Sequence, residues 1–294
     1  MEHAEFRTNQ FCAIFDRFQV MSQDVALSSS VNTVIDRNFN RNFTTDVLKI
    51  IHGCIDLTTL TALDTKQSVR ELVVQVVNDF EGTLPGVSNV AAVCVYPLFV
   101  DTVREALNVQ QVKIAAVAGG FPAPQTFTEV KIKETALAVH AGADEIDVVM
   151  NLGYFLEEDY DALADELSKI KACCRDAKLK VILETGALAS TENIRKAAIV
   201  ALYSGADFIK TSTGKGYPGA SPEAVYTMCQ VIKEYAQITG RKVGIKVAGG
   251  IHTAEEAVRY YTVVKEVLGD KWLNKDLFRI GASRLTEDVR KRLS

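Results

Sequence analysis

Two lysines stand late in short apolar runs, Lys210 in DFIKT and Lys246 in VGIKVA. An ammonium carried to the end of a buried strand costs several kcal/mol, unless it is paired or gives up its proton. The bland reading of either lysine is a snorkelling or salt-bridged side chain whose head reaches water. A chemical reading follows if neighbouring parallel strands carry them, because such strands run about 4.8 Å apart. Repulsion and partial desolvation then favour the neutral amine, lowering its pKa toward about 7 and making it a nucleophile toward carbonyl carbon. The natural product is a Schiff base. Asp147, within EIDVVM, shares the interior layers with Lys210 if both point inward. There it relays protons to a carbinolamine hydroxyl, or merely neutralises a lysine. Asp56 ends an early apolar run, and Cys94 and Tyr96 end another. Polar groups from unrelated runs thus point to one rim, which favours a site.

The elements that must position these groups follow a regular rhythm. After a first strand ending at Cys54, Ile55 and Asp56, strand-like runs recur at 90–95, 112–117, 145–150, 179–184, 207–211, 243–248 and 277–281. Between them lie amphipathic stretches at 65–80, 99–108, 125–141, 158–177, 190–204, 221–239 and 253–268, with 285–293 last. Eight β-then-α units predict a TIM (β/α)8 barrel, with parallel strands covered on both faces. A doubly wound open sheet is the alternative, and the GxGxxG turn that would favour it is missing after the first strand. The barrel unit is expected over 44–294, with 1–43 as an N-terminal helical extension on its outside, whose one stripe is Phe11, Ile14, Phe15 and Phe18. In such a barrel the active site lies at the carboxyl ends of the strands.

That rule also gathers the glycines. Gly249 and Gly250 follow the seventh strand, and Gly281, Ala282 and Ser283 close the eighth. These amides and the hydroxyl sit where many such barrels bind phosphate, and the Gly214, Lys215 turn can close the site. The plain alternative is that turns favour glycine. No Walker loop is present, since Ile209 stands where its first glycine belongs, so no nucleotide is implied. His3, His52, His140 and His252 form neither HExxH nor a close pair, and no GxSxG elbow occurs. Neither metal nor cofactor is expected.

Composition narrows the partners. A net charge of −4 argues against a general nucleic-acid surface, so an anion must be held by a local cluster. The most apolar window, at 90–100, is too short to span a bilayer and is broken by Pro97, so no membrane role is expected. The opening MEHAEFRTNQ has no secretory pattern, and six cysteines without a CxxC pair read as reduced thiols; a cytoplasmic location is expected. A homo-oligomer is compatible with this sequence.

The motifs IDLTTL (55–60), VCVYP (93–97), ADEIDVV (143–149), LETG (183–186), FIKTSTGK (208–215), KVAGG (246–250) and RIGAS (279–283) occur in that order. Over about residues 50–285 the chain resembles the deoxyribose-phosphate aldolase family of class I, Schiff-base aldolases. The resemblance implies reversible retro-aldol cleavage of 2-deoxy-D-ribose 5-phosphate to D-glyceraldehyde 3-phosphate and acetaldehyde. It implies Lys210 as the Schiff-base lysine, Lys246 as the group perturbing its pKa, and Asp147 as the proton carrier. It further implies Asp56 and Cys94 in the pocket, with Lys215, Gly249, Gly250, Gly281 and Ser283 around the phosphate. Three positions depart from the family. The closing LTEDVRKRLS lacks the tyrosine with which some members reach the site, Arg284 replaces a frequent Ser or Thr, and Val247 replaces a frequent Pro or Ala. Another class I aldolase acting on a different phosphorylated sugar is the catalytic alternative. A phosphosugar-binding barrel without turnover would require Lys210 or Asp147 to be absent, and both are present.

Overall fold

Short runs of β-branched and small residues form parallel strands in the computed structural model, which describes residues 10–18 and 24–294. They are β1 (Ile55–Thr58), β2 (Ala92–Val95), β3 (Lys113–Ala118), β4 (Glu145–Val149), β5 (Lys178–Ile182), β6 (Phe208–Lys210), β7 (Gly244–Ala248) and β8 (Phe278–Ala282). Each pairs with the next, and β8 returns to β1 with Ile55 opposite Ile280, so the sheet closes in chain order. The expected TIM barrel is the fold.

The helices begin with α1 (Gln10–Phe15), α2 (Asp24–Asn42) and α3 (Thr45–Gly53) before the barrel, then α4 (Lys66–Leu72), α5 (Val100–Ala106) and α6 (Thr128–Ala141). Two short pieces, α7 (Leu152–Leu156) and α9 (Thr185–Leu188), precede α8 (Tyr160–Cys174) and α10 (Thr191–Tyr203). The outer ring ends with α11 (Pro222–Thr239), α12 (Ala254–Leu268) and α13 (Leu285–Leu293). Hydroxyl caps set the starts: Thr44, Ser190, Ser221 and Thr253 each accept a backbone N–H in the first turn. Thr253 and Glu256 complete a capping box. No helix among the described residues is long and apolar enough to cross a membrane.

The strands divide the core into two. Ile55, Leu57, Val93, Ile146, Val181, Ile209, Ile245 and Ile280 belong to the large apolar layer between sheet and helices. Inside the barrel the apolar filling is small, with Ala92, Cys94, Ala115 and Val117 under Leu60. Phe208 lies there too, with the Arg279 guanidinium 5.7 Å from its ring centroid, and a cluster of charged side chains forms the base of the site.

Two elements differ from the sequence expectation. The helix expected over 65–80 stops at Leu72 and continues as a π-helix over Val73–Asn78, closed by the Asp79 N–H on the Val74 carbonyl at 2.9 Å. The wider turn keeps Val69, Val73 and Val77 on the core side, all fully buried. The polar stretch before residue 43 contains the long helix α2, which packs on α11 and α12. There Val31 and Ile35 are fully buried and the Asn42 amide donates to Thr262. Phe11, Phe15 and Phe18 bury as a stripe, while Ile14 is only half-buried. The opening decapeptide other than Gln10, with His3, lies outside the described residues.

Candidate active site

β6 ends in Lys210 and β7 centres on Lys246, and the two residues are directly opposite in the strand register. Both side chains point into the barrel, because their nitrogens donate to the same oxygen, Asp147 Oδ2, each at 2.8 Å. The two nitrogens therefore stand within two hydrogen-bond lengths of each other. Lys246 also pairs with Asp56 Oδ2 at 2.6 Å. Gly281 makes room for this, since a Cβ there would stand 3.1 Å from Lys246 Cε.

Beneath these groups lies a layer that the sequence reading did not single out. Lys180 Nζ donates to Asp147 Oδ1 at 2.8 Å and pairs with Glu145 Oε2 at 2.6 Å. The Arg279 guanidinium bridges Glu145 Oε1 at 2.7 Å and Asp56 Oδ1 at 2.5 Å. Alternation was the signal that could have found them. Glu145 precedes Asp147 by two residues, and Arg279 precedes Gly281 by two, so each shares an inward face.

Burial and charge then act against each other. For Lys210, burial is the largest influence and Lys246 adds repulsion; together they outweigh Asp147 and hold its pKa below the usual lysine range. Lys246 is also pulled down by burial, but Asp147 and Asp56 both face it and hold its pKa well above that range. Burial would raise the Asp147 carboxyl, yet Lys180, Lys210 and Lys246 overcome it and keep it well below the normal value. Asp56 is held low in the same way, by Lys246 and Arg279 against its burial. Cys94 is buried and its thiol is pushed up, so it stays neutral.

Above Lys210 opens a cleft of about 200 Å³. Of the anticipated residues, Lys210, Lys215, Gly249, Gly250, Gly281 and Ser283 line it. Lys246, Asp147, Asp56 and Cys94 lie below, fully buried. Asp56 and Cys94 are not among the cleft's lining residues; Asp56 pairs with Lys246 and Arg279, and Cys94 packs with Ala92, Ala115 and Val117. Thr58, Leu60, Thr213 and His252 also line the cleft; the sequence places His252 near the rim only as a loop residue and assigns the other three no binding role. The Lys215 ammonium donates to the Leu60 carbonyl, bridging the β6 and β1 loops over the opening. Buried Glu184 fixes the β6 turn by accepting from Thr213 Oγ1 at 2.6 Å and from the Thr213 N–H at 3.1 Å. Arg284 is exposed and lines an adjoining depression with Lys291, which shares His252 with the cleft.

Residues 50–268 match the DeoC/LacD family aldolase profile. The chain belongs to the DeoC/LacD aldolase family. Deoxyribose-phosphate aldolase of Mus musculus is 43% identical over 248 residues, spanning 81% of this chain and 78% of that protein. The enzyme of that name from Homo sapiens is 40% identical over 248 residues with the same coverage of 81% and 78%. Among solved structures, a tetrameric deoxyribose phosphate aldolase from Aeropyrum pernix superposes with a TM-score of 0.68 at 26% identity, covering 89% of this chain and 97% of that one. For a DeoC/LacD aldolase, a pair of interior lysines around one carboxylate at the carboxyl end of the barrel is the arrangement that carbonyl chemistry needs.

Proposed function

We propose that this aldolase reversibly cleaves 2-deoxy-D-ribose 5-phosphate to D-glyceraldehyde 3-phosphate and acetaldehyde through a Schiff base on Lys210. One observation carries the reading: Lys210 and Lys246 share a single carboxylate oxygen of Asp147. The neutral Lys210 amine adds to the C1 aldehyde of the open-chain sugar, and loss of water gives a protonated imine. The C3 hydroxyl then gives its proton to the pair of Asp147 and Lys246, which has just protonated the departing water, as the C2–C3 bond breaks, and the electron pair flows into the imine to leave an enamine. Glyceraldehyde 3-phosphate departs, the enamine takes a proton at C2, and hydrolysis releases acetaldehyde and the amine.

Lys246 keeps Lys210 uncharged by repulsion and supplies a proton across its hydrogen bond to Asp147. Asp147, too acidic to store that proton, passes it on. The Gly249 and Gly250 amides, the Gly281 to Ser283 turn and Lys215 form the phosphate end of the cleft. Deoxyribose-phosphate aldolases of mouse and human at 43% and 40% identity support this substrate over other phosphorylated sugars. The described tetramer from Aeropyrum pernix supports a homo-oligomer, and six unpaired cysteines support a cytoplasmic location.

Borohydride reduction in the presence of acetaldehyde, followed by peptide mass mapping, tests the assignment. A two-carbon adduct is expected on Lys210, undiminished by chelators. An adduct on Lys246 would reverse the lysine roles, and loss of activity with EDTA would point to metal chemistry.

A further inference from the structure

The interior of the barrel holds four basic side chains, Lys180, Lys210, Lys246 and Arg279, against three carboxylates, Asp56, Glu145 and Asp147. Each is at most 3% exposed, and of the seven only Lys210 borders the cleft, so the charges beneath it are little screened by water. Of the charged groups on the loops around Lys210, Glu184 after β5 accepts from Thr213 and Lys215 after β6 donates to the Leu60 carbonyl, and the strands supply the rest. β1 gives Asp56, β4 gives Glu145 and Asp147, β5 gives Lys180, β7 gives Lys246 and β8 gives Arg279. β2 adds only the neutral Cys94 thiol, and β3 adds Ala115 and Val117. At the lower mouth, Lys178 pairs with Asp276 at 3.7 Å, and the Lys275 carbonyl accepts from Arg279 Nε.

With every group ionised, the cluster would carry one uncompensated positive charge in a dry interior. Loss of one proton balances it, and the contacts select which base gives it up. Lys180 meets three carboxylates, Glu145, Asp147 and, at 3.6 Å, Asp56. Lys246 meets two, Asp56 and Asp147. Arg279 also meets two, Asp56 and Glu145, and a guanidinium does not deprotonate in proteins. Lys210 meets Asp147 alone.

We infer that Arg279, Glu145 and Lys180, which do not reach the cleft, are positioning residues that set the protonation state of Lys210 by fixing the charge count of the buried cluster. The inference rests on Lys210 as the reacting amine. Lys246 is then one contributor to the neutral amine, and the ion pairs one layer below matter as much. The directions of the shifts agree, since burial lowers Lys210 while Lys180 is raised by Asp147 and Glu145 against its own burial.

The test is the pH dependence of kcat/KM and of borohydride trapping with acetaldehyde, in the full chain and in three variants whose folds are checked by circular dichroism. Arg279→Met leaves three carboxylates against three lysines, a balance that keeps Lys210 protonated. Its acidic limb should move up by about one pH unit or more, with roughly ten-fold slower trapping at pH 7. Glu145→Gln leaves two carboxylates against four cations, and its limb should move down. Glu145→Gln with Arg279→Met restores an excess of one, and its limb should return to that of the unmodified chain. Should Arg279→Met not fold, Lys180→Met removes the same charge and must shift the limb the same way. A merely structural layer would lower activity without moving the limb in opposite directions. Unmoved limbs in both folded single variants, with the adduct still on Lys210, would overturn the inference. So would a limb above about pH 9 in the unmodified chain, a measurement that requires no variant. An adduct absent from Lys210 is a separate outcome and removes the function proposed above.

Discussion

At residue 249 the backbone adopts φ +92°, a left-handed conformation that a side chain strains, and its Cα packs on the neighbouring loop. A Cβ there would come within 2.8 Å of Gly219 Cα, and one on Gly219 would lie 2.3 Å from the Gly249 carbonyl oxygen. Two glycines thus let the β6 and β7 loops touch beside the cleft that Gly249 and Gly250 line. Gly249→Ala should push the loops apart. The expected result is a KM for 2-deoxyribose 5-phosphate raised about ten-fold, the loss of roughly one charge-assisted hydrogen bond. Unphosphorylated 2-deoxyribose, which makes no use of the cradle, should lose much less in kcat/KM. Equal losses on both substrates would remove these amides from phosphate recognition.

At the scale of elements, α13 is fastened to α3 through a buried histidine. His52 Nδ1 donates to the Ser88 carbonyl at 2.7 Å, while Nε2 accepts from Arg290 Nε at 2.9 Å. Arg290 also lies over the Phe80 ring, 3.6 Å from its centroid. Burial, with the Arg290 charge, lowers the His52 pKa from 6.5 to about 4 even though the Ser88 bond favours the charged ring. The folded protein therefore binds this proton less readily than the unfolded chain. Stability should fall as pH drops from 6.5 toward 4, by about 3 kcal/mol from this group. Urea unfolding across that range should show it, and His52→Asn should flatten the dependence. A mutant slope equal to that of the unmodified chain would locate the effect in other groups.

For the whole molecule, we propose that residues 44–294 form the barrel unit and that residues before 44 stabilise it without serving the chemistry. Val31 and Ile35 on α2 are fully buried on the outer ring, and Ser28 donates to Glu223 at 2.9 Å on α11. Deleting 1–43 should lower Tm by about 10 °C, since each such side chain contributes on the order of 2 kcal/mol. Activity per folded molecule at 25 °C should be retained within about two-fold. A truncated chain that is folded yet inactive would place a functional group in the extension.

The alternation of apolar runs and amphipathic stretches determined the closed barrel, because both periods are local and connection handedness leaves little choice. FIKTSTGK and KVAGG likewise determined that two lysines stand on adjacent strands, since chain order is also strand order in this fold. The π-helix after Leu72 and the amphipathic role of α2 escaped local reading because packing against distant helices decides both. The same holds for the base of the site. Arg279 meets Asp56 across 223 positions of sequence, and Glu145 across 134. In strands buried on both faces the apolar pattern does not tell inside from outside, so only the stagger of the closed sheet brought four cations and three carboxylates into one dry interior. The sequence by itself supplied the two lysines; tertiary structure decided how many charges each must share.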